Sequence, residues 1–214
     1  MLVKDNALDL SFNLADSKAY QTMPAYNFWK GWWAENPRNP VEEVIKLLWE
    51  DLIDPNDYLQ GGFEYWSRVF EDIGFLEWHQ DTCESHYVND KYLIADKSLV
   101  YYVEVSTDLC GGVMEVAPYN DRLDLETQCK SALSIDTEAV ERILPKQNRF
   151  VLIDSAQMHR VTKIHKGIRK NLASSIWKQT PKLFQEHENW NRLFSNPPQM
   201  QEINWQEKNN SEFN

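Results

Sequence analysis

The chain has 214 residues, which is enough to bury one sizeable core but short for two full domains. Its 33 acidic and 22 basic residues give a formal net charge of -11, the wrong sign for neutralising the phosphates of a nucleic acid. No stretch approaches the ~20 apolar residues of a membrane span, and no secretory signal follows Met1. Three cysteines are too few and too irregularly spaced for a disulfide framework. We therefore expect one structural domain in the cytoplasm, with neither nucleic acid nor a membrane as partner.

Residues 1–75 are predicted to form a helical layer that supports a larger core. Asn39 suits a helix cap, Pro40 the first helical position, and Glu42 the third position of a capping box. The apolar stripe of this helix consists of Val41, Ile45, Leu48 and Leu52. A second helix is predicted over residues 62–73, and its apolar face consists of Phe63, Trp66, Phe70 and Ile73.

Residues 76–180 have the pattern of short strands and turns that is typical of an all-β sandwich or jelly roll. The predicted strands cover residues 99–105, 113–116, 149–154 and 170–177. Residues 118–143 are polar and weakly patterned, so we interpret them as an insertion and a candidate lid, helical near residues 137–143. Residues 181–214 form a polar C-terminal extension.

The motif His79-Gln80-Asp81 is the first candidate for a site. In an extended chain, residues i and i+2 point to the same side, so His79 and Asp81 can face one metal while Gln80 points away. A lone motif of this kind also arises by chance in surface turns. His159, just after the predicted strand 149–154, supplies a third ligand. Two imidazoles and one carboxylate form the facial triad that holds non-haem Fe(II) and leaves positions open for oxygen chemistry.

The segments around this triad resemble a known family. The C-terminal match consists of His159, Val161, Ile164, Gly167, Arg169, Leu172 and Trp177. A second match consists of Tyr101-Tyr102-Val103-Glu104 and Gly111-Gly112-Val113-Met114-Glu115. Over residues 76–178 the chain resembles the Fe(II)/2-oxoglutarate-dependent dioxygenases, and among them the prolyl 4-hydroxylase-like branch. The resemblance implies a double-stranded β-helix, a cupin-like jelly roll with the metal in its mouth.

The resemblance also implies roles for single residues. The two histidines and the aspartate would bind Fe(II), and Arg169 would pair with the distal carboxylate of 2-oxoglutarate, which its planar fork suits. Tyr102 matches the hydroxyl donor to 2-oxoglutarate, and Tyr101 would face the opposite side of the strand. Asn171 shares the face of Arg169 and is assigned to co-substrate or substrate contact.

The implied reaction consumes 2-oxoglutarate and O2 and releases succinate and CO2 while an unactivated C–H bond is hydroxylated. Asp81 favours hydroxylation, because the related halogenases lack the carboxylate ligand. A prolyl or peptidyl residue, a free amino acid or another small molecule is the expected substrate, and ascorbate is a candidate reductant.

Other interpretations stay open at this point. The fold also suits a metal-binding or 2-oxoglutarate-binding sensor without activity, or a cupin-like isomerase or hydrolase that needs no oxygen. Nucleic acid dealkylation is disfavoured by the acidic balance. Trp29, Trp32 and Trp33 suit core packing better than a substrate platform, and Gly111 with Gly112 suits a tight turn. No feature of the sequence specifies an oligomeric state.

Overall fold

The computed structural model describes residues 1–23, 27–71, 73–82, 93–118, 135–136, 138–181 and 184. Most of the regular structure in this part of the chain is antiparallel strand. The strands are β1 Leu2–Asp5, β2 Asn27–Trp29, β3 Gly62–Phe70, β4 Leu76–His79, β5 Lys97–Val105, β6 Cys110–Gly111, β7 Met114–Val116, β8 Glu141–Ile143, β9 Arg149–Asp154, β10 His159–Val161, β11 Ile164–Lys166 and β12 Arg169–Trp177. The α-helices are α1 Lys18–Gln21 and α2 Pro40–Trp49, and short 3₁₀ turns cover Leu14–Asp16 and Pro55–Tyr58.

Two sheets form the body of the molecule. The major sheet has the strand order β1-β9-β5-β12-β3-β2, and the minor sheet has the order β4-β10-β7-β8. A two-stranded ribbon of β6 and β11 lies beside them. Apolar side chains from both sheets meet in one cluster, which consists of Tyr102, Met114, Val116, Ile143, Val151 and Ile153. The prediction of a mainly β jelly roll with few helices is confirmed.

Helix α2 begins where the sequence predicts. The Asn39 side chain accepts hydrogen bonds from the backbone N–H groups of Val41 and Glu42. The carboxylate of Glu42 accepts from the backbone N–H of Arg38 at 2.7 Å, one residue before the cap, so the capping box is shifted by one position. The helix ends at Trp49, before the predicted Leu52.

The prediction of a helix over residues 62–73 is wrong, because residues 62–70 form strand β3 of the major sheet. All nine of its residues pair with β12, from Gly62 opposite Trp177 to Phe70 opposite Arg169. Phe63 is compatible with either period, but aromatic residues favour strands, and β3 is paired along its whole length with β12. The local helical spacing was coincidental.

The predicted boundary at residue 75 does not separate a helical layer from a β core, because β1, β2 and β3 are strands of the major sheet. The helix predicted near residues 137–143 is also wrong where it is described, since Glu141–Ile143 is a strand that pairs with β7. Residues 119–134 and 137, which make up most of the predicted lid, lie outside the described residues, as does nearly all of the extension 181–214. The division into layer, core and extension stays an interpretation of the sequence.

The outer face of the major sheet is covered by α2 and an aromatic cluster. The rings of Trp29, Trp32 and Trp33 lie 5.6–5.7 Å from the ring of Phe63. Trp29 is fully buried, so the interpretation of these tryptophans as core packing is confirmed. This layer supports the sheet from behind while the opposite face is turned to the site. None of the helices in the described part of the chain is long and apolar enough to cross a membrane.

Candidate active site

Three side chains with metal-ligating atoms meet at the mouth of the jelly roll. His79 ends β4 and lies opposite His159, the first residue of β10, in the antiparallel pair of these strands. Asp81 follows two residues after His79, and its Oδ1 lies 3.8 Å from Nε2 of His79 and 3.7 Å from Nε2 of His159. One ligand atom from each residue lies within 4.8 Å of the others. The strand pairing thus brings His159 to His79 and Asp81, from which it is distant in sequence.

Backbone carbonyls orient both imidazoles. Nδ1 of His79 lies 2.7 Å from the carbonyl oxygen of Glu77, and Nδ1 of His159 lies 2.9 Å from that of Gln157. Each Nδ1 therefore donates a hydrogen bond, which leaves the Nε2 lone pair free to bind a metal. Burial and the nearby His159 lower the pKa of His79 to about 4, although 29% of its side chain is exposed. A neutral imidazole is the form that binds a metal.

The aspartate is held by the turn that follows β9. The backbone N–H of Asp81 donates to the carbonyl of Ser155 at 3.2 Å. Gln80 points away from the triad, as predicted, and its side-chain amide donates to the carbonyl of Ala156. These bonds connect the motif to the chain that leads into β10, so the two halves of the triad are fixed relative to each other.

Arg169, the first residue of β12, carries a buried charge beside the triad. Only 1% of its surface is exposed. The guanidinium donates to Oδ1 of Asn171 at 3.1 Å and to the carbonyl of Gly112, and it lies 4.7 Å from the ring of Tyr102 and 5.0 Å from that of Phe70. Burial lowers the pKa of Arg169, yet a guanidinium stays charged in proteins. No carboxylate of the described residues forms an ion pair with it, so this cation is available to an anionic ligand.

Tyr102 and Tyr101 lie on opposite faces of β5, as the alternation of a strand requires. Tyr102 is fully buried next to Arg169, and its hydroxyl has no hydrogen-bond partner among the described residues. Burial raises the pKa of Tyr102, so the phenol keeps its proton and can donate it in a hydrogen bond. The Tyr101 hydroxyl instead donates to Asn148 at 3.1 Å in the outer core. The role of Tyr102 stays a prediction.

The paired glycines shape the pocket from the side of the ribbon. Gly111 and Gly112 have φ values of 88° and 68°, which confirms the predicted tight turn. A Cβ atom at Gly111 would lie 2.0 Å from the carbonyl oxygen of Lys163, so only glycine fits there. This close approach places the Gly112 carbonyl where it accepts from Arg169.

The triad and Arg169 line one pocket between the sheets. Its other lining residues include Trp66, Arg68, Phe70, Leu76, Met114, Val161, Asn171, Ala173 and Ser175. A second pocket adjoins it on the other side of the triad, lined by Glu64, Trp66, Arg68, Leu76, Gln80, Thr82, Ser175 and Trp177 together with His79 and Asp81. Sequence reasoning missed Trp66, Arg68 and Phe70, because the segment was interpreted as a helix. The period-two spacing of these three residues was the signal that identifies one face of a strand.

Comparison with known proteins gives the family. Residues 65–178, more than half of the chain, match the model of the 2OG-Fe(II) oxygenase superfamily. The chain belongs to this superfamily. The match includes the three candidate metal ligands and Arg169. No curated protein matches the sequence significantly.

Solved structures show the same fold at low sequence identity. The viral collagen prolyl hydroxylase of Paramecium bursaria Chlorella virus-1 is 13% identical over 82% of this chain and 93% of that one, with a TM-score of 0.51. A prolyl-4-hydroxylase of Pseudomonas putida is 13% identical over 67% of this chain and 70% of that one, with a TM-score of 0.45. An oxidoreductase of the same oxygenase family from Burkholderia pseudomallei is 13% identical, with a TM-score of 0.35, over 55% of this chain and 42% of that one. The chain thus spans less than half of the Burkholderia protein. The likeness to the viral enzyme supports the jelly-roll fold alone.

Proposed function

We propose that the protein is an Fe(II)- and 2-oxoglutarate-dependent dioxygenase that hydroxylates an unactivated C–H bond of a prolyl, peptidyl or amino-acid-like substrate. One observation carries the proposal. The donors of His79, Asp81 and His159 converge in a pocket that also contains Arg169, a buried cation without a carboxylate partner among the described residues. Membership in the oxygenase superfamily supports the same chemistry.

The donor set fits ferrous iron. Two imidazole nitrogens and one carboxylate oxygen form the combination used by non-haem Fe(II) oxygenases, and three protein ligands leave the remaining positions open. His79, Asp81 and His159 would hold the ion. Bound iron would supply the activation of O2 that the side chains cannot perform themselves.

The opposite end of the pocket fits the distal carboxylate of 2-oxoglutarate. Arg169 offers a planar fork of donors, and the ring of Tyr102, 4.7 Å from it, carries a hydroxyl without a hydrogen-bond partner among the described residues. Asn171 orients the fork through its bond to Nε. The rings of Tyr102 and Phe70 flank the guanidinium and exclude water from the ion pair, which strengthens it.

Succinate formation from 2-oxoglutarate by the purified protein tests the proposal. We expect formation to require both Fe(II) and O2, with ascorbate present to keep the iron reduced. His79→Ala and His159→Ala should each abolish it, because two ligands hold the ion poorly. His165→Ala is the matched control, since His165 is an exposed histidine on β11 outside both pockets.

Undiminished succinate formation by the two ligand variants would overturn the assignment of the site. Binding of Fe(II) and 2-oxoglutarate without turnover would favour a non-catalytic sensor instead, and turnover without oxygen would favour a cupin-like enzyme. The cytoplasmic location and the absence of nucleic acid and membrane partners, expected from composition and charge, remain parts of the proposal.

A further inference from the structure

A second arginine, Arg68, faces the same pocket as Arg169. It lies on β3 opposite Asn171 of β12 and lines both the pocket of the triad and the adjoining pocket. Its guanidinium carbon is 5.9 Å from the centre of the Phe70 ring, and that of Arg169 is 5.0 Å from the same centre. Two guanidinium groups thus flank one phenylalanine, and only Arg169 is needed for the distal carboxylate of 2-oxoglutarate.

The charge of Arg68 has no counterpart in the described part of the chain. No carboxylate there forms an ion pair with Arg68, and no acceptor there receives a hydrogen bond from it. Glu64 lies on the same face, but four residues along a strand separate the backbones by about 13 Å. Glu64 also has an interaction of its own. Asp81 is proposed as a metal ligand, so its charge is balanced by the metal and not by Arg68.

The positive charge of Arg68 would remain unbalanced when the pocket contains Fe(II) and 2-oxoglutarate. The two positive charges of Fe(II) are partly cancelled by Asp81, and Arg169 adds one more. The two carboxylates of 2-oxoglutarate balance what remains, so the assembled centre is neutral and Arg68 contributes an unmatched positive charge. A half-buried cation in such a pocket favours an anionic second ligand.

The adjoining pocket offers a further hydrogen-bond donor. Trp177 is 2% exposed, and its indole N–H has no partner among the described residues. It lines the same pocket as Arg68 and Trp66. Trp177 lies opposite Gly62, six residues along β3 from Arg68, so its N–H is a separate donor of this pocket and not a second partner of a carboxylate held by Arg68. The guanidinium of Arg68 is a donor without acceptor capacity, so it matches a group that only accepts hydrogen bonds, as an ionised carboxylate does.

We propose that the adjoining pocket binds the oxidisable substrate through a carboxylate held by Arg68, so that the substrate is a small carboxylic acid such as a free amino acid. The inference rests on the proposed function and narrows its substrate class. A prolyl residue inside a polypeptide has no free carboxylate, and it would leave the charge of Arg68 unmatched. The planar fork of arginine binds a carboxylate in a bidentate geometry that an amide cannot reproduce.

The experiment uses the full chain loaded with Fe(II) and 2-oxoglutarate. Each of the standard amino acids is tested beside its carboxamide for stimulation of succinate formation above the level without substrate. We expect at least one free acid to stimulate and its carboxamide to be at least about tenfold weaker, the effect of one charged hydrogen bond.

Variants of Arg68 test the residue itself. Arg68→Gln should raise KM for the stimulating acid about 10- to 100-fold and change kcat much less, because a bidentate ion pair is lost. Arg68→Lys should recover part of the affinity. Lys4→Gln removes one positive charge from the exposed strand β1 and should change neither constant. Thermal unfolding of each variant checks that the fold is intact.

The outcomes separate this inference from the proposed function. Equal stimulation by acids and carboxamides, no stimulation by any acid, or an unchanged KM in a folded Arg68→Gln would overturn the carboxylate site. Substrate-free succinate formation by the wild type would in each case still support the oxygenase. If the wild type forms no succinate from 2-oxoglutarate, both the proposed oxygenase activity and the carboxylate site are contradicted.

Discussion

Arg169 carries a positive charge into the interior of the jelly roll, where 1% of its surface is exposed. A buried charge without an opposite charge lowers stability by several kcal/mol, because it gives up its hydration. The contacts of Arg169 with Asn171, Gly112 and two aromatic rings compensate only part of that loss. Its position is best explained by an anionic ligand that arrives after folding.

The first prediction at this scale concerns Arg169→Ala. We expect KM for 2-oxoglutarate to rise at least about 100-fold, because a charged bidentate contact is removed, while iron affinity changes little. Succinate formation measured against 2-oxoglutarate concentration checks this. An unchanged KM would mean that the co-substrate lies elsewhere.

The neighbouring tyrosines allow a matched comparison. Tyr102→Phe should raise KM for 2-oxoglutarate about 3- to 10-fold, because one neutral hydrogen bond is lost. Tyr101→Phe removes the hydroxyl that donates to Asn148 on the opposite face and should leave this KM unchanged. Equal effects of the two variants would show that the hydroxyl of Tyr102 does not reach the co-substrate.

At the scale of strands, the elements that position the triad are joined by an ion cluster around one buried glutamate. Glu115 on β7 is 5% exposed and accepts hydrogen bonds from Arg142 on β8 at 2.9 Å and from Arg160 on β10 at 2.6 Å. The guanidinium of Arg160 also lies 4.8 Å from the ring of Trp78, the residue before His79. Glu115 thus links three strands of the minor sheet, and Arg160 extends the link to the fourth.

Glu115→Gln should lower the free energy of unfolding at pH 7 by about 1–3 kcal/mol, since the bonds to two arginines lose their charge on one side. Burial raises the pKa of Glu115, but the bonds from Arg142 and Arg160 outweigh it and hold the pKa below its ordinary value of 4.5. The stabilisation is therefore complete above pH 4.5 and is lost as the pH falls through the lowered pKa of the folded state.

Denaturant unfolding at pH 7 and at pH 3 measures this dependence. The difference between wild type and Glu115→Gln should shrink at the lower pH. Glu104→Gln is the control, because Glu104 pairs with Lys170 in a half-exposed ion pair that contributes less to the free energy of unfolding. A difference that is equal at both pH values would contradict the role of the ionised carboxylate.

How much the sequence predicts differs from element to element. Strand β9 was predicted to the residue because a run of apolar and β-branched residues marks it, and strand β12 was predicted to within one residue. The start of helix α2 was predictable because its cap is local. Strand β3 was missed because its apolar residues also fit a helical period, and its pairing with β12, which joins residues about a hundred positions apart, is not visible in the local sequence. For the same reason Trp66 and Arg68 were not predicted to line the site.

The proximity of His79, Asp81 and His159 was predictable, because a proposed metal site needs particular residue types at particular spacings. The contacts that orient them were not predictable, since the carbonyls of Glu77, Gln157 and Ser155 are backbone groups that any residue type carries.

On the scale of the whole molecule, the arginines of the pocket have the opposite sign to the net charge of the chain. The chain carries a formal net charge of -11, yet the pocket beside the triad contains two arginines. Net charge governs solubility and long-range association, whereas the groups in a cleft decide which ligand binds. The acidic composition therefore does not contradict an anionic co-substrate or substrate.

An anaerobic titration of the metal-free protein with Fe(II) and 2-oxoglutarate tests the central claim most directly. A keto acid chelated to ferrous iron gives a visible charge-transfer band, which reports the triad and the co-substrate site in one signal. We expect the band to appear in the wild type and in His165→Ala and to be lost in His79→Ala. Bound iron without the band in the wild type would contradict the assignment of the pocket as an oxygenase centre.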